Sequence, residues 1–446
     1  MPDKSSRIII PWLLLFVYFP FAYNYGVKSG GATMAFSDLP SFYGAAQLTF
    51  NEHRSPYDME ALQGFGKTID RRVNPYLYPP PSLLAFYPFA LMSYPTAKVA
   101  LTLVNQLCAV ALLYVLLVQI LNYRVSEILG QLAPAALVIY ILLSRGITFT
   151  IEEGQVNLIV ILLLCIVWCG LSRDGPAWMT GLALGGAILL KTYPVVIIPL
   201  LLLRRRYAAC IWMLSLLIFA TIVAGVVLPR SAWGDWYGRV VPTAGYAKTP
   251  YGLFPPSHSA NQSINGFVSR LFLEDAAGPR LHPHTVAAQI TGYLIAAGIF
   301  GITLYVCYLS SRRDVGTVSG GLRNDSRMTS ASARGLRAID IEFSLFLIVS
   351  FLVSPLSWEH HLAFVAPACV VTLVLLMRMS GIEGRSQESV SPALQFIALL
   401  AIFMIAWPFK PAALPMPYIL GVIAASAKFY AIVVVWLFLL RAGRVK

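Results

Sequence analysis

The sequence predicts an all-α polytopic membrane protein, and three observations carry that prediction. Of 446 residues, 58% are hydrophobic and only 12% are charged, where a soluble domain carries roughly a quarter charged residues. Mean hydropathy is +0.70. Apolar runs long enough to cross about 30 Å of hydrocarbon recur along the whole chain, and lipid demands that each run satisfy its own backbone groups as a helix.

The runs fall at roughly 8–27, 80–93, 96–120, 128–146, 154–171, 176–202, 207–228, 286–310, 339–357, 360–379, 393–409 and 417–440, about twelve candidate spans in one domain covering 1–446. The first run lacks a small-residue cleavage pattern and reads as a retained span.

A net charge of +13 invites a nucleic-acid reading, but the placement of the charge argues against it. Basic residues cluster at the ends of apolar runs: Arg204, Arg205 and Arg206; Arg312 and Arg313; Arg323, Arg327, Arg334 and Arg337; Arg378; Arg441, Arg444 and Lys446. That is positive-inside topology, with anionic membrane lipid as a sufficient partner. With Lys4 and Arg7 inside, an even number of spans returns the basic C-terminus to the cytoplasm. The loop 229–285 then lies outside, the basic linker 311–338 inside, and Ser354-Pro-Leu-Ser-Trp358-Glu-His360-His361 at an outer helix end.

The first half leaves two versions open. The run 80–93 is short and follows three prolines, which suits an interfacial or re-entrant piece. Lys191 interrupts 176–202, with Pro194 close behind. If the chain breaks there and 80–93 does not cross, both the Glu153-Gly154-Gln155 turn and Lys191 face outward.

All six cysteines lie in apolar runs. Cys165 and Cys169 share a helix face without a histidine or carboxylate beside them, so they read as packing residues, with no disulfide framework and no metal.

The chain is organised around 28–82, a long polar, aromatic and Pro/Gly-rich first external loop. Asp38 stands at its head before Leu39-Pro40, a position that suits both a helix N-cap and a carboxylate held beside a cavity. Tyr76 and Tyr78, among prolines, suit the headgroup belt. Gln155 and Asn157 open the helix after the Glu152-Glu153 turn, where they tie helices together or bind a sugar. Lys191 has the charge and reach for a phosphate, or else snorkels or pairs with a carboxylate. In the outer loop, Asn261, Gln262 and Arg270 offer hydroxyl partners and a bidentate phosphate ligand; Asn261-Gln262-Ser263 also matches a glycosylation sequon. Trp358 reads as an interfacial ring or a substrate contact. His360 and His361 point about 100° apart on a helix, which suits proton handling or phosphate contact better than one shared metal.

Taken in order, Asp38, Asn74-Pro-Tyr with Tyr78-Pro-Pro-Pro, Glu153-Gly-Gln155-Val-Asn157, Lys191-Thr-Tyr-Pro194, Asn261-Gln-Ser263 with Arg270, and Ser-Trp358-Glu-His360-His361 resemble the family-87 glycosyltransferases of the GT-C fold. That group includes bacterial polyprenol-phosphate-mannose-dependent mannosyltransferases and related arabinofuranosyltransferases. The likeness runs from about residue 8 to 440. It implies a GT-C-like fold, Asp38 as catalytic base, and His360 and His361 in the same cavity. It also implies a polyprenyl-phosphate sugar donor presented outside the bacterial cytoplasmic membrane, with no sugar nucleotide and no cofactor. The inner stretch 314–338 is longer than is usual there, and 271–285 matches no known sugar preference.

The residues fit glycosyl transfer independently, since that reaction needs a base for the acceptor hydroxyl and donors for the departing phosphate. Asp38 as the sole convincing carboxylate favours single displacement over a covalent intermediate. The expected substrate contacts are Lys191, Arg270, Asn261, Gln262, Tyr78, Gln155, Asn157 and Trp358. The acceptor is a hydroxyl of a glycolipid or cell-envelope glycan, and nothing in the sequence demands an oligomer. The rival from another class is a transporter or flippase of a lipid-linked glycan; the absence of counterparts to Asp38, Lys191 and His360 in the other half of the chain weighs against it.

Overall fold

The computed structural model describes residues 6–28, 38–70, 72–275, 278–319, 336–380, 390–408 and 418–444. Expectations resting on Lys4, Arg323, Arg327, Arg334, Lys446 and most of the basic linker fall outside the described residues. Among the described residues, the regular structure is helical except for one two-residue antiparallel pairing, Glu274–Asp275 with Gly278–Pro279.

Among the described residues, five helices are long and apolar enough to cross a membrane: Ile8–Val27, Tyr94–Ile120, Leu132–Glu152, Tyr207–Val227 and Thr285–Arg312. Tyr418–Ala425 and Ala427–Ala442, bent by 52° at their junction, make a sixth if counted as one span. The expectation of about twelve spans is therefore corrected. Hydropathy marks an apolar run but says nothing about whether the helix is continuous. Asn157–Ser172 has 16 residues and Ala366–Met379 has 14, which at 1.5 Å per residue gives about 24 Å and 21 Å, short of a 30 Å core.

The two doubtful runs are both broken. Residues 80–93 form a tight 3-10 segment, Pro80–Phe86, and a four-residue helix, Tyr87–Ala90. Broken helices leave carbonyls without partners in apolar surroundings, and these must be satisfied by something. The helix Leu39–Ala46 and the turn after it meet that need: Tyr43 donates to the Met92 carbonyl (2.8 Å), Gln47 to Phe89 (3.1 Å) and Asn51 to Ala90 (3.0 Å). In the other run, the helix Ala177–Leu190 stops at Lys191, whose φ of −147° and ψ of 128° are extended. A 3-10 segment, Tyr193–Ile197, and a short helix, Ile198–Leu203, follow. Pro194 and Pro199 each lack the N–H that a continuing helix would use.

The centre of the bundle is Ala338–Val353, buried continuously from Ile339 to Leu352. It carries two acids, and both are matched. Arg204 holds Glu342 through two bonds of 2.6 and 2.9 Å, and Trp168 donates its indole N–H to Asp340 at 2.9 Å. Pairing of this kind is what makes buried charge tolerable. Around this helix pack Thr285–Ser319, Ala366–Met379 and Ala427–Arg444; elsewhere Ala177–Leu190 sits between Asn157–Ser172 and Tyr207–Val227.

Candidate active site

A cavity of about 560 Å³ is walled by the first loop, the break at Lys191, the segment 240–260 and the Ser354–His361 stretch. Asp38 opens the helix Leu39–Ala46, yet its side chain makes no cap hydrogen bond. Its carboxylate turns to two amides instead. Asn74 donates to Oδ1 at 2.8 Å and Gln155 to Oδ2 at 2.6 Å, while the Asp38 N–H reaches the Glu153 carbonyl at 3.0 Å. A carboxylate oxygen has two lone-pair directions, so each oxygen keeps one for a proton arriving from the cavity.

The Gln155 side chain reaches Asp38 because the turn after the preceding helix passes through Gly154, whose φ of 67° lies in the left-handed region that glycine enters without steric cost. Asn105 braces the turn by donating to the Gln155 carbonyl at 3.1 Å.

Lys191 is 4% exposed. Its Nζ donates to the Tyr78 hydroxyl at 2.6 Å and stands 4.7 Å from the centre of that ring. The Tyr78 carbonyl is in turn held by the Tyr57 hydroxyl at 2.6 Å. Burial, with the Asp38 charge adding to it, pushes the Tyr78 hydroxyl well above the ordinary phenol range, so it stays protonated at neutral pH.

His361 completes this corner. The Trp358 N–H donates to its Nδ1 at 3.0 Å, which leaves the proton of the neutral ring on Nε2. Nε2 faces Lys191 Nζ at 3.4 Å. Two donors facing each other call for an anionic oxygen to serve both. The His360 ring lies 4.3 Å from that of His361, and the His360 carbonyl accepts from Thr150 (3.0 Å) and Asn157 (3.1 Å).

The turn carrying both histidines, Glu359–Phe364, presses against the helix Arg145–Glu152. Gly146 permits that approach: a Cβ there would collide with the backbone of Leu362 and Ala363. Arg145 binds Glu152 at 2.8 Å and lies 3.8 Å from Glu359, and Lys428 binds Glu359 at 2.7 Å. This charge chain fixes the turn from behind.

The cavity thus brings together Asp38, Tyr78, Gln155, Lys191, Trp358, His360 and His361. Asn157, Asn261, Gln262 and Arg270 are not on its wall. Asn157 is fully buried and positions the His360 backbone. Asn261, also fully buried, binds the carbonyls of Pro256 and Pro355 and the N–H of Ser357, a burial that leaves no room for a glycan on the sequon. Gln262 bridges a helix break, donating to the Ala425 carbonyl at 2.7 Å and accepting from the Phe429 N–H at 3.0 Å. Arg270 binds Ser426 and the carbonyls of Ser257, His258 and Asn261; burial lowers its guanidinium to about 10, still cationic at pH 7.

Among the cavity residues outside the expected site set are Asn74, Phe149, Glu359, Phe254 and His258. Asn74 had a local signal, its place directly before Pro75 at the start of the aromatic-proline run. The others depend on distant partners.

The family model for glycosyltransferase family 87 matches residues 76–322. The chain belongs to that family. The family-87 match contains Tyr78, Gln155 and Lys191, while Asp38 and the histidine pair lie on either side of it. Among curated proteins, the chain is 28% identical over 312 residues to the polyprenol-phosphate-mannose-dependent alpha-(1-2)-phosphatidylinositol mannoside mannosyltransferase of Mycolicibacterium smegmatis, covering 68% of this chain and 63% of that protein. It is 26% identical over 345 residues to the protein of the same description from Mycobacterium tuberculosis, covering 75% and 67%. A third relative, the M. smegmatis alpha-(1-2)-phosphatidylinositol pentamannoside mannosyltransferase, is 28% identical over 298 residues, covering 66% and 60%. The chain therefore spans about two thirds or less of the length of these relatives. No solved structure matches it.

Proposed function

We propose that this family-87 chain moves a sugar, mannose first among the candidates, from a polyprenyl-phosphate donor to a hydroxyl of a glycolipid or cell-envelope glycan. The reaction runs on the outer face of the cytoplasmic membrane, in one domain whose outer loops are 28–82 and 229–285 and whose inner linker is 311–338. The observation that carries the reading is the Asp38 carboxylate, released from capping and held by Asn74 and Gln155 in the cavity that also holds Lys191 and the two histidines. The activities for which the relatives are named support the donor class and the mannose.

The acceptor hydroxyl gives its proton to Asp38 as its oxygen bonds to the anomeric carbon. The bond from that carbon to the phosphate oxygen breaks, and the electron pair leaves with the phosphate. Lys191 Nζ and the His361 Nε2–H meet the growing negative charge, as fixed donors in a dry site do best. Tyr78 holds Lys191 in place, and His360 acts beside Asp38 in positioning or proton traffic. Glu359 is already paired with Lys428, which favours Asp38 as base and a single displacement with inversion.

The test is turnover by purified protein in nanodiscs with a panel of polyprenyl-phosphate sugars and a host lipid extract, reading polyprenyl phosphate and new glycolipid by mass spectrometry. Wild type should turn over one sugar, and Asp38→Asn should lose about 10²- to 10⁴-fold in rate while still binding the donor. Retained anomeric configuration would sink the single displacement. Binding without turnover of any donor would sink the enzyme reading.

A further inference from the structure

The segment 250–260 forms one wall of the cavity and carries two rings, Phe254 and His258, that the proposed chemistry leaves without a task. They meet Trp358 in a three-ring cluster. Phe254 and His258 lie 5.0 Å apart at 31°, His258 and Trp358 5.5 Å apart at 65°, and Phe254 and Trp358 6.4 Å apart at 76°. Phe254 is 49% exposed, so the cluster shows apolar ring surface to the cavity instead of packing it away.

The shelf is rigid. The His258 N–H donates to the Pro255 carbonyl at 3.0 Å, its own carbonyl accepts from the Asn261 N–H at 2.9 Å, and the Gln262 N–H donates to the Ser357 carbonyl at 2.9 Å. Arg270 also binds the carbonyls of Ser257 and His258. The polar residues that the sequence offers as sugar ligands are thus the clamp that joins this segment to the Trp358 segment.

The shelf also has one polar feature. The Ala260 N–H donates to His258 Nδ1 at 3.2 Å, which leaves the proton of the neutral ring on Nε2 as a donor. Partial burial and the Arg270 charge lower the His258 pKa, so the neutral form dominates at pH 7. Trp358 connects the shelf to the reacting groups, since its backbone N–H orients His361.

We infer that Phe254, His258 and Trp358 form the acceptor subsite, and that the acceptor presents a sugar ring there: the apolar C–H face of a pyranose lies on Phe254 and Trp358, and one of its hydroxyls takes the His258 Nε2–H. A pyranose has both an apolar face and a rim of hydroxyls, which is what ring surface beside a single fixed donor accommodates. A prenyl chain would cover the rings but leave the His258 donor unpaired, at a cost. The inference rests on the proposed transfer reaction for its name as an acceptor site and commits that reaction to glycan-terminated acceptors.

The test reads binding without turnover, so that it stands apart from the transfer reaction. Saturation-transfer NMR is run on the full chain in nanodiscs with methyl α-D-mannopyranoside as probe, and undecaprenyl phosphate binding is measured in parallel. Wild type should saturate the ring protons of the glycoside. Phe254→Leu should weaken glycoside binding by about fivefold and leave undecaprenyl phosphate binding unchanged, and Phe254→Tyr, which keeps the ring face, should retain both. A wild type that fails to saturate the glycoside, a leucine variant that binds it as well as wild type, or a tyrosine variant that loses it as fully as leucine does would each overturn the subsite. A leucine variant that loses undecaprenyl phosphate binding, while tyrosine keeps it, would assign the rings to the lipid donor and overturn the sugar assignment. Glycoside binding with this pattern but no transfer from any polyprenyl-phosphate sugar would leave the subsite standing and sink the transfer reaction instead.

Discussion

Gln155 donates to the Asp38 carboxylate at 2.6 Å across 117 residues of chain. A hydrogen bond to a charged acceptor contributes roughly 1.5–3 kcal/mol. Gln155→Leu should therefore lower kcat by about 10- to 100-fold at little change in donor affinity. Steady-state kinetics with the donor varied checks this; a rise in donor KM with kcat intact would place Gln155 on the donor instead.

Lys191 Nζ and His361 Nε2 stand 3.4 Å apart on the cavity wall. Lys191→Ala should weaken donor capture more than acceptor capture, measured as separate equilibrium binding of each. Unchanged donor binding by the purified variant would remove Lys191 from the phosphate.

Gly146 lies where a Cβ would strike the backbone of Leu362 and Ala363. Gly146→Ala should cost about 1–3 kcal/mol, as overpacking does, and lower the thermal unfolding midpoint. It should also reduce activity, because the displaced turn carries His360 and His361. An unchanged midpoint would show that the two elements separate freely.

Asp58 caps the helix Met59–Thr68, accepting from the Ala61 N–H at 3.0 Å. That bond holds its carboxyl below the ordinary carboxylate range, and the Arg54 side chain adds to the effect. A depressed folded-state value means that the stabilisation is present above the unfolded carboxyl value of about 3.9 and is lost as pH falls through the lower folded value. Asp58→Ala should cost about 1 kcal/mol at pH 7, read as faster amide exchange in residues 59–64. The gap to wild type should close in acid; a gap independent of pH would show that the carboxylate charge has no part in the cap.

Lys428 and Glu359 pair at 2.7 Å, with the Lys428 side chain 3% exposed. Lys428→Met alone should destabilise the protein by about 3 kcal/mol, because it leaves Glu359 with only the longer 3.8 Å contact to Arg145, and Glu359→Gln added to it should recover much of that loss. Thermal unfolding of both variants reads this, and equal midpoints would show that the pair is not coupled.

Legibility in the sequence followed the range of each interaction. The Lys191 break was legible because its causes, one lysine and Pro194, sit at the break itself. Asp38 was legible as a residue with two possible tasks, but the choice between capping and facing the cavity depends on Asn74 and Gln155, which chain order does not bring near. Arg270, Asn261 and Gln262 look like ligands by type. Whether such side chains meet a substrate or the backbone of their own loop is settled by where Pro355, Ser357 and Ser426 arrive.

The sequence by itself determined that this is a helical membrane protein, where its polar interruptions lie, and the order of motifs that resembles family 87. Hydrophobicity, charge and proline act within one turn or one span, so they can be read along a line. Tertiary structure alone decided how many runs are continuous enough to cross, that Gln155 is spent on Asp38, that His361 faces Lys191, and that a polar clamp holds up an aromatic shelf. Each of these depends on contacts between segments far apart in the chain, which no local pattern along the sequence specifies.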